Sequence, residues 1–126
     1  MSEPAIGSGP GRALVAVYGV FALAAGARAG VQIVTRFGEA PLAYSLSAFA
    51  ALVYLVLAVA LVRGERRLAL AACGVELAGV LIVGTLSLVD PAAFPDATVW
   101  SGYGGGYVFI PLVLPVLGLY WLLRRR

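Results

Sequence analysis

The sequence predicts an all-α membrane protein: a bundle of four transmembrane helices in which both chain termini are cytoplasmic. The first observation is composition, because 62% of the 126 residues are hydrophobic and 12% are charged, with a mean hydropathy of +0.99. A soluble domain has about 45–50% apolar and about 25% charged residues, since it must present a solvated face. The second observation is the presence of four apolar stretches. The third is that the arginines in the segments between and beside these stretches are distributed unequally between the two predicted sides of the membrane.

Residues 1–12 are mostly small and polar, and they predict a disordered N-terminal lead before one transmembrane domain at residues 13–126. The domain contains four predicted spans, at about residues 13–34, 41–62, 68–89 and 107–123. Each is close to the roughly 17–25 residues with which a helix crosses about 30 Å of hydrocarbon. Strands of a membrane barrel would be about ten residues long and would alternate in polarity, so these stretches predict helices.

The first span also fits a second interpretation. Arg12, the apolar run after it and the small residues around Gly26 are the parts of a secretory signal with its cleavage site. Apolar sequence resumes after Arg28, which favours a span that is retained. Mass spectrometry of the mature N-terminus distinguishes the two.

Arginine sets the predicted orientation. If four helices alternate in direction, only Arg36 falls on the outer side, and seven arginines fall on the other: Arg12, Arg63, Arg66, Arg67, Arg124, Arg125 and Arg126. Cytoplasmic loops carry the excess of positive charge, so we expect both termini in the cytoplasm and a plasma-membrane location. Trp100 and Tyr103 then fall near the outer interface, where aromatic side chains are common.

Two charges lie inside predicted spans, Arg28 and Glu76. A charge at the middle of a bilayer costs about 2.5–3.5 kcal/mol on insertion scales, so we expect both to face the bundle interior and to interact. Their depths differ by about 10 Å at 1.5 Å per residue, and the hydroxyl groups of Tyr18 and Tyr54 are placed to bridge them. These four residues form the candidate intramembrane polar site. The alternative is that the two charges only fix helix register, or that Arg28 reaches the outer surface.

A second candidate cluster lies in the outer loops and comprises Arg36, Glu39, Asp90 and Asp96. Ion pairs among them would tie the two outer loops together, and a ligand site is the other interpretation. The outer connection also contains SGYGGGY at residues 101–107, which we interpret as a flexible re-entry into the membrane.

The sequence is poor in residues that bind metals or cofactors. It has no histidine, and its one cysteine, Cys73, lies in an apolar run where it is expected to pack as a small side chain. Zinc, haem and iron–sulfur sites draw on these two residue types, so we expect no metal and no cofactor. The same lack of histidine and cysteine leaves few residues for catalysis by these side chains, and we expect no enzymatic activity.

Two stretches, TRFGEAPLAYSLSA at residues 35–48 and DATVWSGYGGGYVFIPLVLPVLGLYWL at residues 96–122, resemble an uncharacterised family of small integral membrane proteins from high-GC actinobacteria. The resemblance covers nearly the whole chain after Arg12. It implies four helices and a plasma-membrane location, and it implies no activity and no functional residue.

We therefore expect a non-enzymatic accessory or interaction subunit of the plasma membrane. Its expected partners are the lipid bilayer and other membrane proteins, as a homo-oligomer or in a larger complex, with no nucleic acid. The alternative is a small oligomeric transporter or channel that uses Glu76 and Arg28. The transporter hypothesis requires that Glu76→Gln abolishes transport while the protein still folds.

Overall fold

The computed structural model describes residues 9–94, 98 and 100–124, and within them the chain is helical with no strand. Four α-helices follow one another: α1 (Gly9–Arg36), α2 (Pro41–Arg63), α3 (Arg66–Val89) and α4 (Ile110–Arg124). Three short 3-10 segments lie in the connections, at Phe37–Glu39, Pro91–Ala93 and Ser101–Tyr107. The all-helical class predicted from the sequence is confirmed.

Helices α1, α2 and α3 are long and apolar enough to cross a membrane. Helix α1 begins at Gly9, before the predicted start at residue 13, so residues 9–12 of the predicted disordered lead are helical. Residues 1–8 of that lead lie outside the described residues. Helix α4 is apolar but has only 15 residues, which gives it a length of about 22 Å against about 30 Å of hydrocarbon. It begins at Ile110 instead of residue 107 because Val108 and Phe109 have left-handed φ values of 58° and 61°, which a helix cannot contain.

Local sequence explains where α2 begins and ends. Pro41 occupies its first turn, where the missing N–H costs nothing and the fixed φ already suits a helix. At the other end Gly64 adopts a left-handed φ of 70°, and its N–H bonds to the carbonyl groups of Ala60 and Leu61. Such a glycine cap ends a helix and turns the chain sharply, so α3 starts two residues later and runs antiparallel to α2.

The helices pack in chain order. Helix α1 lies against α2, α2 also contacts α3, and α3 contacts α4 and the segment Ser101–Tyr107. The outer helices α1 and α4 make little backbone contact with each other. The core is shared by all four helices and includes large aromatic side chains, among them Tyr18, Tyr54 and Trp100.

The connection between α3 and α4 folds back into the bundle. The Trp100 ring lies directly on Gly79 of α3, where a Cβ atom would come within 2.4 Å of a ring carbon. Tyr103 lies on Gly84 in the same way. Gly79 is ten residues before the end of α3, about 15 Å inward along the helix. The Trp100 side chain is 1% exposed and fills a space that a glycine leaves open, so it is part of the core of the bundle.

The inserted backbone is irregular and is held by hydrogen bonds. Gly102, Tyr103 and Gly104 have left-handed φ values of 58°, 60° and 83°. The N–H of Gly102 bonds to the Ser87 hydroxyl at 2.9 Å, and the N–H of Phe109 bonds to the Gly104 carbonyl at 3.0 Å. Part of this irregular backbone is covered by the neighbouring helices, since Tyr103 lies on Gly84 of α3 and Gly104 lies against Pro111 of α4.

Candidate functional site

The site is built around Glu76, which lies near the middle of α3 and is completely buried. Its neighbours on the same face of α3, Cys73 one turn before it and Val80 one turn after it, are also buried. The residues at the adjacent positions 74 and 75 are exposed, so α3 directs this one face into the bundle. A carboxyl group in such a place is costly unless polar groups surround it.

Tyr18 of α1 provides the hydrogen bond that Glu76 makes. Its O–H donates to Oε1 of Glu76 at 2.8 Å, and both side chains are 0% exposed. The other carboxyl oxygen, Oε2, is buried and has no hydrogen-bond partner within the described part of the chain. Glu76 is thus a half-satisfied polar group, which is uncommon in native proteins and calls for an explanation.

Two further aromatic residues extend the site. The Tyr54 ring lies 6.0 Å from the Tyr18 ring, measured between centroids, and it belongs to α2. The indole Nε1 of Trp100 donates to the Tyr54 hydroxyl at 2.8 Å. Glu76, Tyr18, Tyr54 and Trp100 therefore form one buried group, which we call the polar cluster.

Helix α4 closes the polar cluster without adding a polar side chain. Gly118 lies against Cys73 and Tyr18, and a Cβ atom there would be 2.9 Å from the Cys73 sulfur and 3.7 Å from the Tyr18 hydroxyl. The absence of a side chain at Gly118 lets α4 approach α3 closely, as small residues do between membrane helices. Cys73 is a buried packing residue, as its apolar surroundings predict.

Arg28 does not join the cluster. It is exposed and lies ten residues beyond Tyr18 along α1, which is about 15 Å. Oε1 of Glu76 accepts a hydrogen bond from Tyr18, and Oε2 has no hydrogen-bond partner among the described residues. Neither oxygen therefore accepts a hydrogen bond from Arg28. The structure brings together Glu76, Tyr18 and Tyr54 of the predicted polar site and leaves Arg28 apart, because the difference in depth exceeds the reach of the side chain.

Of the predicted outer-loop cluster, the three residues that the structure describes do not form ion pairs with one another. Arg36, Glu39 and Asp90 are all exposed, and no ion pair joins them to one another. Asp96 lies outside the described residues. Exposed ion pairs contribute about 0–1 kcal/mol and restrict long side chains, so opposite charge alone does not hold two loops together.

Sequence reasoning missed Trp100 and Gln32. Gln32 is 3% exposed on α1, and its Oε1 atom has no hydrogen-bond partner among the described residues. Its amphipathic position, fourteen residues after Tyr18 and on the same helix face, is a signal that could have identified it. No such signal exists for Trp100, whose burial depends on the space above Gly79.

The chemistry available in the polar cluster is proton exchange and hydrogen bonding. A carboxyl group next to a tyrosine hydroxyl can take up or release a proton. Within the described residues no group of three or more histidine, cysteine, aspartate or glutamate side chains lies together to hold a metal ion.

Comparison of the chain with protein-family models, with curated proteins and with solved structures gave no match.

Proposed function

We propose that this chain is a multi-pass protein of the bacterial plasma membrane, with both termini in the cytoplasm, and that it acts as a non-enzymatic accessory or interaction subunit. Three helices of membrane-spanning length support the membrane location. The placement of both termini on one side requires that α4 crosses as well, and the arginine distribution supports that orientation. Fusions of a cytoplasmic reporter and a periplasmic reporter to each terminus test the orientation. Activity of the periplasmic reporter at either end would refute it.

The observation that carries the interaction role is a groove between α1 and α2. It has a volume of about 660 Å³ and a mostly apolar lining. Along α1 it extends from Gly19 to Ile33, about 21 Å, which is most of the hydrocarbon thickness. Small residues line its floor, and around Gly19 and Gly30 there is open space within 4 Å of a Cβ position.

A transmembrane helix of a partner protein fits this groove best. Small residues let helix backbones approach closely, and the concave floor accepts larger aliphatic side chains from the partner. A second copy of the chain fits less well, because two-fold pairing would place one concave face against another and leave a void. The proposed occupant is therefore a partner helix with leucine- or isoleucine-sized residues on its contact face.

A photoreactive residue at Leu23, on the rim of the groove and 77% exposed, tests this proposal in living cells. We expect a cross-link to one other membrane protein, lost when Gly30→Leu fills the groove. Gly74→Leu is the matched control, since Gly74 on α3 also has open space around it. A cross-link only to a second copy, or one that Gly30→Leu leaves unchanged, would refute a partner helix in the groove.

The second candidate function is that of a small oligomeric transporter or channel. The observation that favours it is Glu76, buried with one oxygen unpartnered, since intramembrane carboxyl groups serve as proton and ion sites in transporters. Tyr18 replaces Arg28 as its working partner in this version. Reconstituted vesicles with Glu76→Gln should lose transport while the purified variant stays monodisperse; unchanged transport would reject this function.

A further inference from the structure

A second groove lies between α1 and α4. It has a volume of about 390 Å³ and is lined almost wholly by apolar atoms. Ala13, Leu14 and Val17 form one wall and Leu114 and Leu117 the other, with Tyr120 and Trp121 at the end near the chain termini. The groove lies where α1 and α4, which each pack mainly on other helices, make few close backbone contacts with each other.

Positive charge stands at the aromatic end of this groove. The Arg124 side chain lies over the Tyr120 ring, 5.4 Å from its centroid, and its Nη1 atom donates to the Tyr120 hydroxyl at 3.0 Å. Arg12, which immediately precedes Ala13, adds a second exposed guanidinium group at the same end of the molecule. The sequence continues after Arg124 with two more arginines. A groove with apolar walls and an arginine at one end is suited to bind a molecule with an apolar chain and an anionic head.

We propose that the α1–α4 groove binds an anionic phospholipid, with an acyl chain along the apolar walls and the phosphate at Arg124. A guanidinium group recognises phosphate through two parallel hydrogen bonds, and Tyr120 already holds that group at the groove. The apolar lining and the volume are those of a small-molecule site. This inference depends on the proposed membrane location and not on the proposed partner helix.

The test uses the purified full-length chain in neutral detergent, with lipid binding measured by native mass spectrometry. Phosphatidylglycerol and phosphatidylcholine with identical acyl chains are compared. We expect phosphatidylglycerol to bind about fivefold more tightly, the effect of one arginine on an anionic headgroup. Glycerol phosphate, which has the charge but no acyl chain, should not compete.

Two variants with matched controls locate the site. Arg124→Gln should abolish the preference for phosphatidylglycerol, whereas Arg63→Gln, at another exposed arginine, should leave it. Leu117→Trp should fill the groove and prevent retention of both lipids. Leu123→Trp should not, because Leu123 is as exposed as Leu117 but lies outside the groove lining.

Equal affinity for the two lipids would overturn the headgroup assignment, and retention of lipid by Leu117→Trp would overturn the groove. Equal weakening by Arg124→Gln and Arg63→Gln would show attraction to general surface charge and would also overturn the site. Because no partner protein is present, failure of the partner-helix proposal does not affect these outcomes. A chain that needs no amphiphile to stay in solution would refute the membrane location itself.

Discussion

Docking of Trp100 on Gly79 gives the sharpest test of the fold. Replacement of Gly79 by alanine would place a methyl group within 2.4–2.9 Å of three carbon atoms of the Trp100 indole ring. Real Cβ atoms do not approach that closely, so the buried ring would have to shift. The Gly79→Ala substitution should therefore displace Trp100 and separate its Nε1 atom from the Tyr54 hydroxyl.

The expected cost follows from these contacts. Forcing an extra methyl group into a packed core costs about 1–3 kcal/mol. Loss of the hydrogen bond to Tyr54 adds about 0.6 kcal/mol, the average found between membrane helices. Alanine regains up to about 1 kcal/mol over glycine in helix propensity. The net loss in the free energy of unfolding should be about 1–3 kcal/mol, measured by steric trapping in bicelles.

Tryptophan fluorescence reports the displacement directly. The chain has two tryptophans, so the background Trp121→Phe leaves Trp100 as the only emitter. Gly79→Ala should shift its emission to longer wavelength and increase quenching by acrylamide. Gly74→Ala is the control, because its Cβ atom meets nothing within 4 Å and should leave emission unchanged. Identical spectra and stabilities for the two variants would refute the docking of Trp100 on α3.

Three further predictions concern other contacts, each measured as the free energy of unfolding. Tyr18→Phe leaves the buried carboxyl group without its donor and should cost about 1–3 kcal/mol, whereas Tyr120→Phe on the exposed face of α4 should cost less than about 1 kcal/mol. Gly118→Ala should cost about 1–3 kcal/mol by crowding the Cys73 sulfur, and Cys73→Ala in the same chain should recover most of that loss; no recovery would place the clash elsewhere. Asp90→Asn should change stability by less than about 0.5 kcal/mol, and a larger loss would reveal an outer-loop ion pair.

The positions of the helices could be predicted from the sequence because they depend on the local pattern of apolar residues and of proline and glycine. The predicted span at residues 41–62 and the observed α2 at Pro41–Arg63 nearly coincide, since Pro41 and Gly64 mark its two ends. Depth counting also placed Tyr18 near Glu76, because the rise per residue of a helix is fixed. The same arithmetic separated Arg28 from Glu76 by about 10 Å in depth, and in the structure Arg28 lies about 15 Å along α1 from Tyr18, which bonds to Glu76.

The path of the connection between α3 and α4 could be predicted from the sequence only in part. Glycine-rich sequence at residues 101–107 indicated an unusual path, but its depth depends on contacts between distant residues. Trp100 is buried because Gly79 leaves space on a helix twenty-one residues earlier in the chain. A hydropathy pattern contains no information about such complementary shapes, so the burial of Trp100 against α3 could not be predicted from it.

During synthesis, the translocon releases helices sideways into lipid according to their apolar length. With 15 residues, α4 falls below the roughly 17–25 that a spanning helix usually has, so it is poorly suited to partition into lipid alone. Helix α3 is already synthesised when α4 emerges. Gly79 and Gly84 of α3 provide the space for Trp100 and Tyr103, which precede α4 in the chain. If the chain inserts into the bilayer as proposed, α4 would therefore insert only once it has packed on α3, and substitutions on that face of α3 would leave α4 in the aqueous channel of the translocon.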